Sequence, residues 1–143
     1  TNNGMYFDEF IRERFVAIGW NLILSDDFPL TYDGQIRIKT ILRNPQCYDS
    51  KTPTTVINKC ERFCKEIKEG DIALITDKDR IAFAVIGEYY EEQKQLYNMQ
   101  YELSAENGNI KISGCPYCKR RKIEIIHIID DKERINPYMY KAI

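Results

Sequence analysis

The sequence has little of what most catalytic sites are built from. Among 143 residues there is one histidine, His127, and no motif pairs it with a nucleophile and an orienting acid. We therefore expect His127 to be a packed, hydrogen-bonded side chain. No glycine-rich phosphate loop occurs either. The 21 basic residues nearly balance the 22 acidic ones, so no global positive field attracts nucleic acid. These scarcities argue against an enzyme and predict that any contact with nucleic acid is local.

Long apolar runs and an ordered cysteine framework are also missing. No run of 18 apolar residues occurs, so no membrane span is predicted, and no signal peptide is visible. The five cysteines are an odd number with no regular spacing, which favours a reduced, cytoplasmic setting. The length suits one domain over residues 1–143, and the initial Thr1 predicts that this domain is excised from a longer chain.

The patterns of apolar residues predict an α+β fold. Helical spacing occurs at 4–14 and, most clearly, at 53–70, where Gly70 is expected to cap the helix. The run 35–43 suits either a strand, because Ile36 and Ile38 alternate, or a helix, because Ile38, Ile41 and Leu42 have helical spacing, and we assign it to a helix. β-rich runs predict strands at 15–20, 71–76, 81–92, 95–103 and 122–129. We expect a small curled β-barrel of about five or six mostly antiparallel strands, flanked by two or three helices.

The spacing of Cys115 and Cys118 in "CPYC" permits three interpretations. Two cysteines at this spacing form half of a typical structural zinc site, which needs four ligands. They could also form a redox dithiol, although a strand pattern and not a helix follows them. A rigid hairpin tip is the third interpretation. The other pair, Cys60 and Cys64, lies on the apolar stripe of the 53–70 helix and is expected to be buried and unbridged. We therefore predict no cofactor.

Aromatic and basic residues form the remaining candidate site. Tyr89 and Tyr90 lie near the end of a predicted strand and, with the single Trp20, could form walls around a flat ring. The sharpest basic cluster is "KRRK" at 119–122, in which strand alternation sends Lys119 and Arg121 to one face. This cluster is either a charged, solvated edge strand or a phosphate contact.

Three segments in order, "FVAIGWN", "IKEGDIALIT" and "IAFAVIGEYYEE", resemble the PUA-like superfamily in its EVE- and YTH-related branch. They are similar above all to the modules attached to modification-dependent restriction and other prokaryotic defence proteins. The resemblance implies a small β-barrel that binds RNA, or that receives a flipped, modified base of DNA or RNA in an aromatic-lined pocket. It places Trp20 and Asn21 near that pocket and matches Arg121 to an arginine of the late strand.

Together these observations predict a non-catalytic recognition module for nucleic acid that directs a fused or associated effector. Trp20, Asn21, Tyr89 and Tyr90 are the expected base-binding residues, because an aromatic face stacks on a base and an amide can both donate to and accept from a base edge. Arg121 and Lys119 are the expected phosphate ligands. The alternative is a regulatory domain that senses a small nucleotide or binds a protein.

Overall fold

The computed structural model describes residues 4–93 and 114–130, which form three α-helices and four strands. The helices are α1 (Phe7–Glu13), α2 (Tyr32–Arg43) and α3 (Pro53–Glu61), and the strands are β1 (Phe15–Ile18), β2 (Ile72–Thr76), β3 (Ile81–Glu91) and β4 (Lys119–Ile129). A 3-10 turn covers Ser25–Asp27, and a π-helical segment, Arg62–Glu66, continues α3. The α+β class and all three helices are confirmed, and the weaker helical pattern at 35–43 belongs to α2.

The four strands form one antiparallel sheet in the order β1-β4-β3-β2. β2 and β3 pair from Ile72 with Val85 to Thr76 with Ile81. Next to β4, Gly87 lies against Lys122, and the amide of Glu92, just after β3, donates to the Cys118 carbonyl at 2.8 Å. The partner's residue number decreases as the residue number in β3 increases, as expected for antiparallel pairing. The described sheet has four strands and not five or six. The predicted strand 95–103 lies outside the described residues.

The described chain consists of two compact units. The first unit comprises residues 4–16, 68–88 and 121–130, and the second comprises residues 17–67, 89–93 and 114–120. In the first unit, Phe10 and Phe15 pack edge to face with ring centroids 5.0 Å apart. Arg80 lies 4.3 Å above the Phe7 ring and donates to Asp8 and Asp77. The aromatic pair therefore ties α1 to β1, and the guanidinium of Arg80 ties α1 to the 77–80 turn.

The second unit has its own apolar core. Thr31 begins α2 by accepting a hydrogen bond from the Gly34 amide at 3.0 Å, and Pro53 occupies the first turn of α3, where a proline costs no helical hydrogen bond. One face of each helix is then buried. The core cluster contains Ile23, Phe28, Ile38, Leu42, Val56, Ile57 and Cys60, with Trp20 among the partly buried residues packed on it. Cys60 and Cys64 are buried and unbridged, as predicted.

Two details differ from the sequence expectations. The helical segment ends at Glu66, so Gly70 is not its cap. Gly70 instead adopts a φ of +95° in the turn before β2, and its amide donates to the Ile86 carbonyl at 2.8 Å. His127, expected to be packed, is exposed on β4.

In the part of the chain that the structure describes, no helix has the length and apolar character needed to cross a membrane.

Candidate functional site

The backbone of Trp20 adopts an unusual conformation directly after β1. Its φ of +59° lies in the left-handed region, which a bulky side chain rarely occupies because its Cβ crowds the following carbonyl. The Trp20 carbonyl accepts two hydrogen bonds, from the Ile23 amide at 2.9 Å and from Nζ of Lys119 at 2.6 Å. The side chain is partly buried on the core cluster. A strained turn is therefore held in place while part of Trp20 stays accessible.

Asn21 connects this turn to the Cys115–Cys118 segment, hereafter the CPYC loop. Its Nδ2 donates to the Pro116 carbonyl at 2.9 Å, and its Oδ1 accepts from the Cys118 amide at 3.0 Å. The residue is fully buried. Both groups of the amide are thus bonded to backbone in this arrangement. The predicted contact between Asn21 and a base edge would require release of the CPYC loop.

All four carbonyls of the CPYC loop accept hydrogen bonds. Arg120 donates through Nη2 to Cys115 at 3.0 Å and through Nε to Tyr117 at 2.9 Å. Asn21 donates to the Pro116 carbonyl, and the Glu92 amide donates to the Cys118 carbonyl at 2.8 Å. Burial without such partners would be costly, so these donors explain how the loop lies inside the fold.

The two cysteines of the CPYC loop form no disulfide and have no measurable exposure. Over residues 4–93 and 114–130, no group of three or more histidine, cysteine, aspartate or glutamate side chains is arranged to hold a metal ion. The four bonded carbonyls and the burial of both cysteines are consistent with the interpretation of "CPYC" as a rigid turn.

Gly19 has a specific packing role beside Trp20. A Cβ added at this position would lie 3.3 Å from the nearest carbon of the Tyr117 ring, which is closer than most such contacts. The missing side chain therefore allows a partly buried tyrosine to lie against the backbone that leads into Trp20. Sequence reasoning missed Tyr117, because its proximity to Gly19 depends on the pairing of β1 with β4 and no local pattern reports it.

The basic run 119–122 is mostly internal. Lys119, Arg120 and Arg121 are 0%, 7% and 5% exposed, and β4 lies between β1 and β3 in the sheet. The solvated edge-strand interpretation is therefore wrong, because β4 has a neighbouring strand on each side and three of the four basic side chains are buried. Only Lys122 is exposed, and it forms an ion pair of 2.6 Å with Glu88.

The two expected phosphate ligands bond to backbone carbonyls. Nζ of Lys119 donates to Trp20 in the second unit. Nη1 of Arg121 donates to the Gly87 carbonyl at 3.3 Å in the first unit. A phosphate contact by either side chain would have to exchange these bonds.

Tyr89 and Tyr90 are partly buried near the end of β3. The Tyr89 hydroxyl donates to Oε2 of Glu91 at 2.6 Å, and the same oxygen accepts from the Ser25 amide at 3.0 Å. The Tyr89 ring packs edge to face against the Phe63 ring, with ring centroids 6.3 Å apart. Burial raises the pKa of Tyr89 well above its ordinary value, and hydrogen bonds with Glu91 and Cys64 raise it further. The Tyr89 side chain is therefore bonded to residues of the second unit.

Comparison of the chain with known protein families, with curated proteins and with solved structures finds no match.

Proposed function

We propose that this chain is a recognition module that stacks a nucleobase of DNA or RNA on Trp20 and performs no chemistry of its own. One observation carries the proposal: a partly accessible indole at a left-handed backbone position, fixed by two donors to its own carbonyl. Strained, over-determined positions of this kind concentrate at binding sites. A ring that is already in place loses little conformational freedom when a ligand arrives.

A single, partly accessible ring suits the binding of one nucleobase by stacking. Stacking on an aromatic side chain is worth about 1–3 kcal/mol per base. Extruding a base from a duplex costs a few kcal/mol. With one ring to stack on, we therefore expect a base in a single strand or in a destabilised duplex to bind more tightly than a base in a stable duplex. The resemblance to EVE- and YTH-related modules supports the same ligand class and a fused or associated effector. The four antiparallel strands are compatible with the PUA-like curled barrel that we propose as the complete fold.

A second candidate function is the sensing of a small nucleotide. The observation that favours it is the burial of Lys119, Arg120 and Arg121, because these side chains form no basic surface that could follow a polynucleotide backbone. A base could still stack on Trp20 in this case. The two functions differ in how many phosphates the protein contacts, and that number determines the salt dependence of binding.

The expected result of a binding assay follows from this difference. The parent protein should bind labelled random-sequence single-stranded DNA or RNA more tightly than the nucleoside monophosphates. The logarithm of the binding constant should fall with the logarithm of salt concentration with a shallow slope, of magnitude about 1–2, because three of the four cations in the basic run 119–122 are buried. Fluorescence anisotropy across a series of salt concentrations measures both quantities.

The contradicting outcomes are distinct. Equal affinity for monophosphates and oligonucleotides, with a slope near zero, would support the small-nucleotide function in place of nucleic-acid recognition. Saturable binding to none of these ligands, including oligonucleotides that carry modified bases, would reject both functions.

A further inference from the structure

We propose that Lys119 is the positioning residue of the Trp20 site: its buried ammonium holds the Trp20 carbonyl and thereby sets where the indole is presented. The inference rests on the proposed function for the identity of the ligand. The positioning itself is a property of the free protein. It makes Lys119 an internal hydrogen-bond donor and not a surface ligand for phosphate.

The environment of Lys119 is unusual for a lysine. The residue has 0% exposure, although lysine is among the residues least often buried completely. Its Nζ donates to the Trp20 carbonyl at 2.6 Å, which is short for a bond from nitrogen. Across residues 4–93 and 114–130, none of the ion pairs involves this ammonium. Its described bond is thus directed at one specific carbonyl.

The acceptor is as specific as the donor. Trp20 is in the left-handed region at a φ of +59°, and the amide of Ile23 is the other donor to its carbonyl. Asn21, the residue after Trp20, bonds to Cys118, the residue before Lys119: its Oδ1 accepts from the Cys118 amide at 3.0 Å. Two consecutive residues after β1 are therefore tied to Cys118, the last residue of the CPYC loop, and to Lys119, the first residue of β4. Loss of the ammonium would leave the strained Trp20 backbone with one donor and allow it to relax.

The replacement Lys119→Met tests this role because methionine keeps much of the stem volume and removes the donor. In the folded variant, Trp20 should become more accessible to acrylamide, with an emission spectrum displaced from that of the parent. Affinity for labelled random-sequence single-stranded DNA should fall roughly tenfold or more, as expected for the loss of a charge-assisted hydrogen bond that positions the ring. Lys122→Met is the matched control on the same strand, since Lys122 is exposed, and it should change neither quantity.

Urea unfolding of both variants separates positioning from general stability. A Lys119→Met protein that is less stable, yet has parental acrylamide quenching and parental affinity when folded, would overturn the proposal. If the methionine variant does not fold, Lys119→Gln retains a neutral donor, and it should give quenching and affinity between those of the parent and those of a Trp20→Ala protein. Parental values for the glutamine variant would show that the ammonium is not needed.

The hydrogen bond of Lys119 can also be tested directly in the unaltered protein. In nitrogen-15 spectra the Lys119 ammonium should be protected from exchange with water and should correlate through the hydrogen bond with the Trp20 carbonyl carbon. The exposed Lys122 ammonium should exchange rapidly. Equal exchange of the two ammonium groups would overturn the proposal. These measurements need no ligand, so failure of base binding and failure of the positioning role are distinguishable.

Discussion

Replacement of Asn21 by alanine is expected to lower the free energy of unfolding by about 2–4 kcal/mol, since it combines two lost hydrogen bonds with a buried cavity. The Asn21 amide bonds to Pro116 and Cys118 across sequence separations of 95 and 97 residues. Alanine would leave the Pro116 carbonyl and the Cys118 amide to find other partners inside the protein. Urea denaturation followed by circular dichroism measures the change.

The control for this prediction is Asn58→Ala, an exposed asparagine on α3. Its effect should stay within about 0.5 kcal/mol, as for most surface substitutions. Asn21→Asp should also be destabilising, because it puts a carboxylate oxygen opposite the Pro116 carbonyl where the amide now donates. An Asn21→Ala protein as stable as the Asn58→Ala protein would show that the CPYC loop does not depend on this amide.

Replacement of Trp20 by alanine is expected to reduce affinity for a base-bearing oligonucleotide by roughly 10- to 100-fold, which corresponds to the loss of one aromatic stacking platform. Trp20→Phe should retain part of the affinity, since it keeps a smaller ring. Because the side chain is partly buried on the core cluster, the alanine variant should also lose about 1–2 kcal/mol of stability from reduced apolar burial. Anisotropy titration without urea, at a temperature well below the unfolding transition of the variant, isolates the effect on binding.

Tyr32→Ala provides the matched aromatic control. Tyr32 is 80% exposed at the start of α2, in the same compact unit as Trp20. Its removal should leave affinity unchanged. Equal losses of affinity for the Tyr32 and Trp20 variants would assign binding to nonspecific aromatic contact, and an unchanged Trp20→Ala affinity would remove Trp20 from the site.

The elements that the sequence predicts correctly are those whose signal is local. Apolar spacing in α2 and α3 reports which face is buried, and the alternation of apolar runs with the 77–80 turn reports β2 and β3. Capping by Thr31 and the position of Pro53 reinforce these helices. Such features are determined within about one turn of chain, so tertiary packing confirms them and does not change them.

The site residues were harder to predict because their roles depend on distant partners. The charge run at 119–122 suits either a solvated edge strand or a phosphate contact, and only the sheet order shows that β4 is interior. The left-handed turn at Trp20 has no local sequence signal, since neither glycine nor asparagine occupies the position. Gly19 and Asn21 are explained only when the CPYC loop lies beside them.

The most direct test of a base stacked on Trp20 is the protein's own fluorescence, because the chain has a single tryptophan. Random-sequence single-stranded DNA or RNA, or a nucleoside monophosphate, is added while indole emission is followed and corrected for absorption by the ligand. We predict saturable quenching with the same midpoint as direct binding, and no quenching by ribose 5-phosphate, which has the phosphate without the base. Emission that is unaffected while a base-bearing ligand saturates the protein would contradict the proposal.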